Sequence, residues 1–401
     1  MPTMTSVAEA EALIAARMPR WPTELIAIDD ATGRVLAESI RSDRDQPPFD
    51  RATMDGIAVS SRSFAAGRRS FGIESVQAAG APPPTLRSPE SCIRIMTGAV
   101  LPGGTDAVIP IERVRIVDHV AHVDDSASVE AGRFVHARGS DRRAGEPVLE
   151  SGMRLGPAEI AVLASAGRAE VRACSLPRIA VVSTGDELVT VDAPAIEPWQ
   201  IRSSNDFAIA ASLARAGLGK VSRALLRDDA ERIVASLAGL HDAHDVLILS
   251  GGVSMGEFDY VPAALDRLGA ELVFHRIEQK PGRPMWFGVS AAGKPIFALP
   301  GNPVSTLLCM TRYVVPALLR ALGCAAPAPE FARLTAAVDG PKHMTYFVPA
   351  LLGWDQDGRE TAEPRPTNTS GDFSSLAGTD GFIELAPGRH EAGTIGRVFR
   401  W

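Results

Sequence analysis

Three short stretches place carboxylates directly behind apolar runs. "STGDEL" carries Asp186 and Glu187, "LRDD" carries Asp228 and Asp229, and "LILSGGVSMGEFDY" leads through Gly251, Gly252, Ser254 and Gly256 to Asp259. A run as short as Val246 to Leu249, bounded by glycines, suits a strand buried in a parallel sheet. Ligands of open α/β sheets sit at the carboxyl ends of the strands, where glycines let backbone N–H groups approach a phosphate. If these strands are neighbours, the acids crowd one edge. Carboxylates at close range raise one another's pKa, so such a cluster implies Mg²⁺ or a cationic partner. Taken singly, each acid is the usual helix cap or solvated loop residue.

Two further stretches suit anions. In "LPGNPVST", Pro300 and Gly301 make a tight turn, Asn302 suits an N-cap and Pro303 the first helical position. The N–H groups around Val304 and Ser305 then sit at an open helix terminus, which is an anion site. The alternative is an ordinary capped helix. Upstream, "QKPGRP" supplies Lys280 and Arg283 around Gly282, with Arg276 nearby, a basic cluster suited to a phosphate or other oxyanion. "PPFDRATMDGIAV" and "RIMTGAVLPGGTDAVIPIE" add Asp50, Asp55, Thr97 and Asp106, which by pattern alone are turn residues. Neither a Walker loop, a Rossmann glycine fingerprint nor an H-E-x-x-H pair occurs, and His241 and His244 read as surface.

The elements that must position these residues alternate in type along the chain. Ser6 with Glu9 predicts a capped helix over Val7 to Met18, and helical spacing returns over Gly156 to Val171. Between them, 46–139 reads as β-rich, with short alternating runs punctuated by Gly and Pro. From Arg178 strands alternate with helices over Asn205 to Ala216, Ala230 to Leu240 and Val261 to Leu268, the pattern of a doubly wound α/β domain. "AAPAPE" reads as a linker, and short β segments fill the tail. At 401 residues the chain exceeds what one core usually holds.

A formal charge of -7 argues against general nucleic-acid binding. Cys92, Cys174, Cys309 and Cys324 are scattered and read as reduced thiols of a cytosolic protein. The first residues lack a signal-peptide pattern, and no apolar run approaches the ~20 residues that span a bilayer. The expected location is cytoplasmic, with no membrane and no nucleic-acid partner.

Taken in order, "PPFDRATMDGIAV", "RIMTGAVLPGGTDAV", "STGDEL", "SGGVSMGEFDY", "KPGRP" and "LPGNPVS" resemble the hallmarks of the molybdopterin molybdenumtransferase family, the bacterial MoeA enzymes and the C-terminal part of gephyrin. The resemblance implies a multidomain α/β plus β fold. Its parts would be a discontinuous N-terminal/linker domain (1–45 and 140–177), a β-rich domain (46–139), a molybdopterin-binding doubly wound α/β domain (178–326) and a C-terminal β-barrel (327–401). It also implies a homodimer whose cleft is completed by the partner subunit. The implied reaction takes adenylylated molybdopterin, releases AMP by hydrolysis and inserts molybdate, with Mg²⁺ in support. The implied neighbours in the pathway are a molybdopterin adenylyltransferase and apo-molybdoenzymes. A non-catalytic molybdopterin carrier or scaffold with the same fold is the alternative.

Carried over by motif, Asp55 and Thr97 match active-site positions of the β-rich domain, and Glu187, Asp228 and Asp259 match the acids of the cleft, with Glu187 and Asp259 the candidate metal ligands. Gly251, Gly252, Ser254, Gly256, Lys280, Gly282, Arg283, Pro300, Gly301, Asn302 and Ser305 form the implied molybdopterin and phosphate site. Ser370 of "TSGDFSS" and Arg276 fall to molybdate. The chain departs from the family pattern at several places. Arg276 stands for a lysine, Ser203 for an aspartate and Ile57 for a tyrosine, while in "KHMTYFVPA" Met344 and Pro349 stand where arginines are common.

Overall fold

The computed structural model describes residues 4–253 and 260–401. The chain separates into two compact units, one of Met1–Glu38, Ser151–Gly156 and Glu170–Trp401, the other of Ser39–Glu150 and Pro157–Ala169.

At the start of the larger unit, the helix Val7–Arg17 has the reciprocal cap expected from its sequence. The Glu9 N–H donates to Ser6 Oγ at 3.3 Å and the Ser6 N–H to Glu9 Oε2 at 2.9 Å. The centre of this unit is a six-stranded sheet ordered Val221–Leu226, Ile179–Thr184, Val246–Ser250, Pro295–Leu299, Trp286–Val289 and Glu271–His275. The first four strands are parallel and the last two form an antiparallel extension. Ile179–Thr184 and Val246–Ser250 are buried along their whole length because helices cover both faces. Ile179, Val181, Val246 and Ile248 pack with Ile209 and Leu213 of the helix Asn205–Arg215. The alternate residues Ala180, Val182, Leu247 and Leu249 pack with Ile233 and Leu237 of the helix Ala230–Ala243. Period-two alternation is thus present, but both faces are apolar.

The strands Thr345–Trp354, Glu360–Pro364, Glu330–Leu334, Ile395–Arg400 and Gly381–Leu385 pair in that order and close on themselves, because the last also pairs with the first. This five-stranded barrel is filled by small and branched side chains, among them Ala332, Val348, Ala350, Ile383 and Val398. The short strand Gln279–Lys280 adds to its edge, with Gln279 beside Thr345. The segment Pro303–Ala321 is long and apolar enough to cross a bilayer, yet most of it is buried inside the fold. It is a core helix.

The smaller unit is built on a sheet ordered Ala107–Pro110, Gly56–Val59, Ser91–Ile95, Ser70–Gln77, Val120–Val123 and Val114–Val117. Helical spacing over Gly156 to Val171 overreaches. The helix is Pro157–Ser165, and Gly167 at φ 70° lets the chain leave it before the strand Glu170–Cys174.

Candidate active site

Strand Ile179–Thr184 lies between Val221–Leu226, which follows it in sequence, and Val246–Ser250, which comes next. The chain therefore winds one way and then the other, and the crevice at such a switch point is where open α/β sheets bind ligands. A cleft of about 560 Å³ opens there, lined by residues that include Glu187, Asp228, Gly251, Gly252, Pro300 and Gly301. The glycine pair is a steric requirement. A Cβ on Gly251 would sit 2.6 Å from the Thr184 carbonyl oxygen, and one on Gly252 would sit 2.9 Å from Thr184 Oγ1, with φ at 97° and 65°.

The acids divide by role. Glu187 and Asp228 line the cleft. Asp186 and Asp228 join two strand ends reciprocally, each backbone N–H donating to the other's carboxylate at 3.2 Å. Asp229 is a helix cap, accepting from the N–H groups of Glu231 and Arg232 at 3.1 and 3.0 Å. Ser254, Gly256 and Asp259 lie outside the described residues.

Sequence reasoning missed the residue that ties this crevice together. Asn205, first in its helix, donates through Nδ2 to Ser250 Oγ at 2.9 Å and to the Gly301 carbonyl at 2.7 Å. Its Oδ1, with Ser183 Oγ and Thr184 Oγ1, is buried without a hydrogen-bond partner among the described residues, and all three residues line the cleft. Buried polar atoms are rarely left so. The available signal was the polar run "SSND" opening a helix that follows a glycine and acid loop.

A second cleft of about 280 Å³ adjoins the first and shares Pro284, Pro300 and Asn302 with it. Lys280, Gly282, Arg283, Ser305 and Ser370 line it, as do Met344 and Pro349. Lys280 and Arg283 are exposed, and Lys280 Nζ lies 5.8 Å from the centre of the Tyr346 ring. The expected open helix terminus is not free. Asn302 holds the cap position of Pro303–Cys309 without a capping bond; its Nδ2 donates instead to Ser370 Oγ at 2.8 Å, while the Val304 N–H donates to the Ser370 carbonyl at 3.1 Å. Ser370 of the barrel loop thus takes the Val304 N–H of this helix end, while Lys280 and Arg283 give the cleft its cationic wall. Arg276 lines neither cleft; its backbone is in the left-handed region at φ 79°, and its N–H donates to the Met285 carbonyl.

In the smaller unit, Asp55 Oδ1 accepts from the Thr97 hydroxyl at 2.6 Å and from its N–H at 2.7 Å. The hydroxyl and then the amide hold the carboxyl below its ordinary range. Asp50 and Asp106 make distant contacts rather than local turn bonds: Asp50 accepts from the Arg138 N–H, and Asp106 accepts from the N–H and hydroxyl of Ser61, at the start of the helix Ser61–Ala65.

Three family models match the chain in succession: the MoeA N-terminal region (domain I and II) over residues 5–167, a probable molybdopterin binding domain over 180–320, and the MoeA C-terminal region (domain IV) over 332–395. A molybdopterin molybdenumtransferase of Synechocystis sp. is 40% identical over 97% of this chain and 97% of its own. The chain belongs to the molybdopterin molybdenumtransferase family. Another molybdopterin molybdenumtransferase, from Bacillus subtilis, is 32% identical over 91% of this chain and 86% of its own. The crystal structure of a molybdopterin biosynthesis MoeA protein from Pyrococcus horikosii is 32% identical and superposes with a TM-score of 0.81, covering 99% of both chains. As a molybdopterin molybdenumtransferase family member, this chain is an enzyme of molybdenum cofactor biosynthesis. The switch-point cleft falls in the segment matched by the molybdopterin binding domain, except for Gly371, and the second cleft adds Ser370 and its neighbours from the MoeA C-terminal region.

Proposed function

We propose that the chain hydrolyses the phosphoanhydride of adenylylated molybdopterin, releases AMP and inserts molybdate into the pterin dithiolene. The observation that carries this reading is the pair of adjoining clefts of opposite character, one walled by acids and buried polar atoms, the other by cations. A substrate with a phosphate chain and many hydrogen-bonding groups suits the first. A small oxyanion suits the second.

In this reading Gly251 and Gly252, with Ser254 and Gly256, bring backbone N–H groups to the phosphate chain, while Asn205, Ser183 and Thr184 meet polar atoms of the ligand. Lys280 and Arg283 neutralise molybdate, with Ser370 and Ser305 at the same wall. Glu187 and Asp228 suit Mg²⁺, which is commonly held by one or two carboxylates with substrate phosphates and water as its other ligands. When bound, Mg²⁺ polarises the phosphoryl oxygens. Asp259 is assigned to the metal or to orienting the attacking water, which adds at phosphorus as the P–O bond to the AMP phosphate breaks. Asp55, kept ionised by Thr97, serves the active site of a homodimer from the partner side. A cytoplasmic enzyme that receives adenylylated molybdopterin from an adenylyltransferase and passes the cofactor to apo-molybdoenzymes completes the proposal.

The test is reconstitution of a cofactor-free molybdoenzyme with adenylylated molybdopterin, molybdate and the purified protein, following AMP. Release of AMP coupled to restored activity supports the reading. Tight binding of the pterin without AMP release would replace it with a carrier role.

A further inference from the structure

We infer that Tyr313, acting through Gln279, is a positioning residue for the two cations of the oxyanion cleft. The helical segment that follows Asn302 is interrupted at Met310–Val314 by a π turn. Such a turn inserts one residue, re-aims the side chains around it, and occurs often at functional sites. Here it gives two adjacent buried residues different tasks. Arg312 pairs with Glu11 at 2.9 Å and faces Glu384 at 3.5 Å, whereas the Tyr313 hydroxyl donates to Gln279 Oε1.

Gln279 is fully buried, lies on the wall of the oxyanion cleft and directly precedes Lys280. The loop from Lys280 to Arg283 bends around its amide. Gly282, at φ 84°, passes so close that a Cβ there would meet Gln279 Nε2 at 2.6 Å and Cys309 Sγ at 3.1 Å. The Gly282 N–H donates to Ser305 Oγ at 3.2 Å. The loop is thus fixed from inside by Gln279 and Ser305, while the side chains of Lys280 and Arg283 remain exposed. A flexible cation must be ordered to bind an anion, and prior fixing of its backbone reduces that cost. Burial raises the Tyr313 phenol above its ordinary range, so it stays a donor. Removing only its hydroxyl leaves the ring packing intact and the buried Gln279 oxygen without its donor.

The inference rests on the proposed molybdate role of this cleft. The experiment measures half-saturation by molybdate and, separately, by adenylylated molybdopterin in the wild type, Tyr313→Phe, Gln279→Met and the double variant, with Lys280→Ala as reference and thermal melting for each. Each single substitution is expected to raise half-saturating molybdate about three- to tenfold, the scale of one hydrogen bond. The rate at saturation and the pterin half-saturation should stay near wild type, and the double variant should be no worse than the weaker single one. The inference is overturned if Lys280→Ala raises half-saturating molybdate while Tyr313→Phe and Gln279→Met do not, or if both half-saturations and the melting temperature change together. If Lys280→Ala itself has no effect, the oxyanion reading of the cleft falls and the inference falls with it. Should Tyr313→Phe not fold, Gln279→Met alone decides.

Discussion

The two clefts differ in what their walls leave open. At the sheet's switch point, buried oxygens of Ser183, Thr184 and Asn205 face a space with no partner among the described residues. In the neighbouring cleft the loop backbone is satisfied internally by Ser305 and held against Gln279, and only charged ends are offered outward. A wall of unmet acceptors and hydroxyls selects a ligand with a matching hydrogen-bond pattern, since a poor match leaves those groups unpaired. A pair of cations carried on a fixed backbone selects charge and size. In the proposed reading, one protein edge holds a site for a complex organic phosphate and, across Pro300 and Asn302, a site for a simple anion.

The strongest challenge to this division is Asp259→Ala, which we expect to lower AMP release by about two orders of magnitude or more. Melting temperature should change little. Mixing those subunits with Asp55→Ala subunits, under conditions that permit exchange, should restore activity at one site per heterodimer. Undiminished AMP release by the single variant would remove Asp259 from the reaction, and full activity in a strict monomer would remove the shared site.

Pro349→Arg sharpens the other side of the comparison. Met344 and Pro349 both line the oxyanion cleft and offer it no hydrogen-bond donor from their side chains. A guanidinium contact is worth about 1.5–3 kcal/mol, so half-saturating molybdate should fall roughly ten- to hundredfold in the variant. A wild type that already saturates at micromolar molybdate, with no gain in the variant, would show that these positions are neutral. Asn205→Ala should act on the first cleft alone, raising the half-saturation for adenylylated molybdopterin about five- to tenfold through lost hydrogen bonds. An equal change for molybdate would contradict the separation.

The smallest effect is one of pH. His275 Nε2 donates to the carbonyl of Val253, a wall residue of the first cleft, at 3.1 Å. Burial lowers its pKa, the Val253 contact opposes this, and Arg276 adds to the lowering. The unfolded chain then takes up the proton first as pH falls below about 6.5, so this contribution is full above that range and lost below it. For a partly exposed group it should be less than about 1 kcal/mol. Melting of the wild type and His275→Gln between pH 5 and 8 should therefore converge at the acid end; parallel curves would show that His275 contributes nothing.

Much of this organisation was legible in short-range patterns. The Ser6 and Glu9 cap, the buried strand after Asp245 and the glycine pair at its end follow from local chemistry, and the structure contains each of them. The motif order also led to the closed barrel and to the family. What escaped depends on distant partners. The Asn302 side chain and the Val304 N–H are claimed by Ser370, which lies 68 residues beyond Asn302, so part of the helix terminus that looked open is occupied. Asn205 looked like an ordinary helix start, because its partners Ser250 and Gly301 belong to two other strand ends. Asp228 and Asp229 are adjacent and chemically identical, and only the packing of the following helix makes one a cap while the other lines the cleft.

The most direct measurement follows AMP release and cofactor formation in one reaction as molybdate is varied, with adenylylated molybdopterin saturating, for the wild type, Lys280→Ala and Asp228→Ala. The wild type should release AMP, Lys280→Ala should raise half-saturating molybdate about tenfold or more with little change in the limiting rate, and Asp228→Ala should lower the rate at every molybdate concentration. If both substitutions change the same parameter to the same extent, or if the wild type releases no AMP, the assignment of one cleft to the nucleotide-bearing pterin and the other to the oxyanion is wrong.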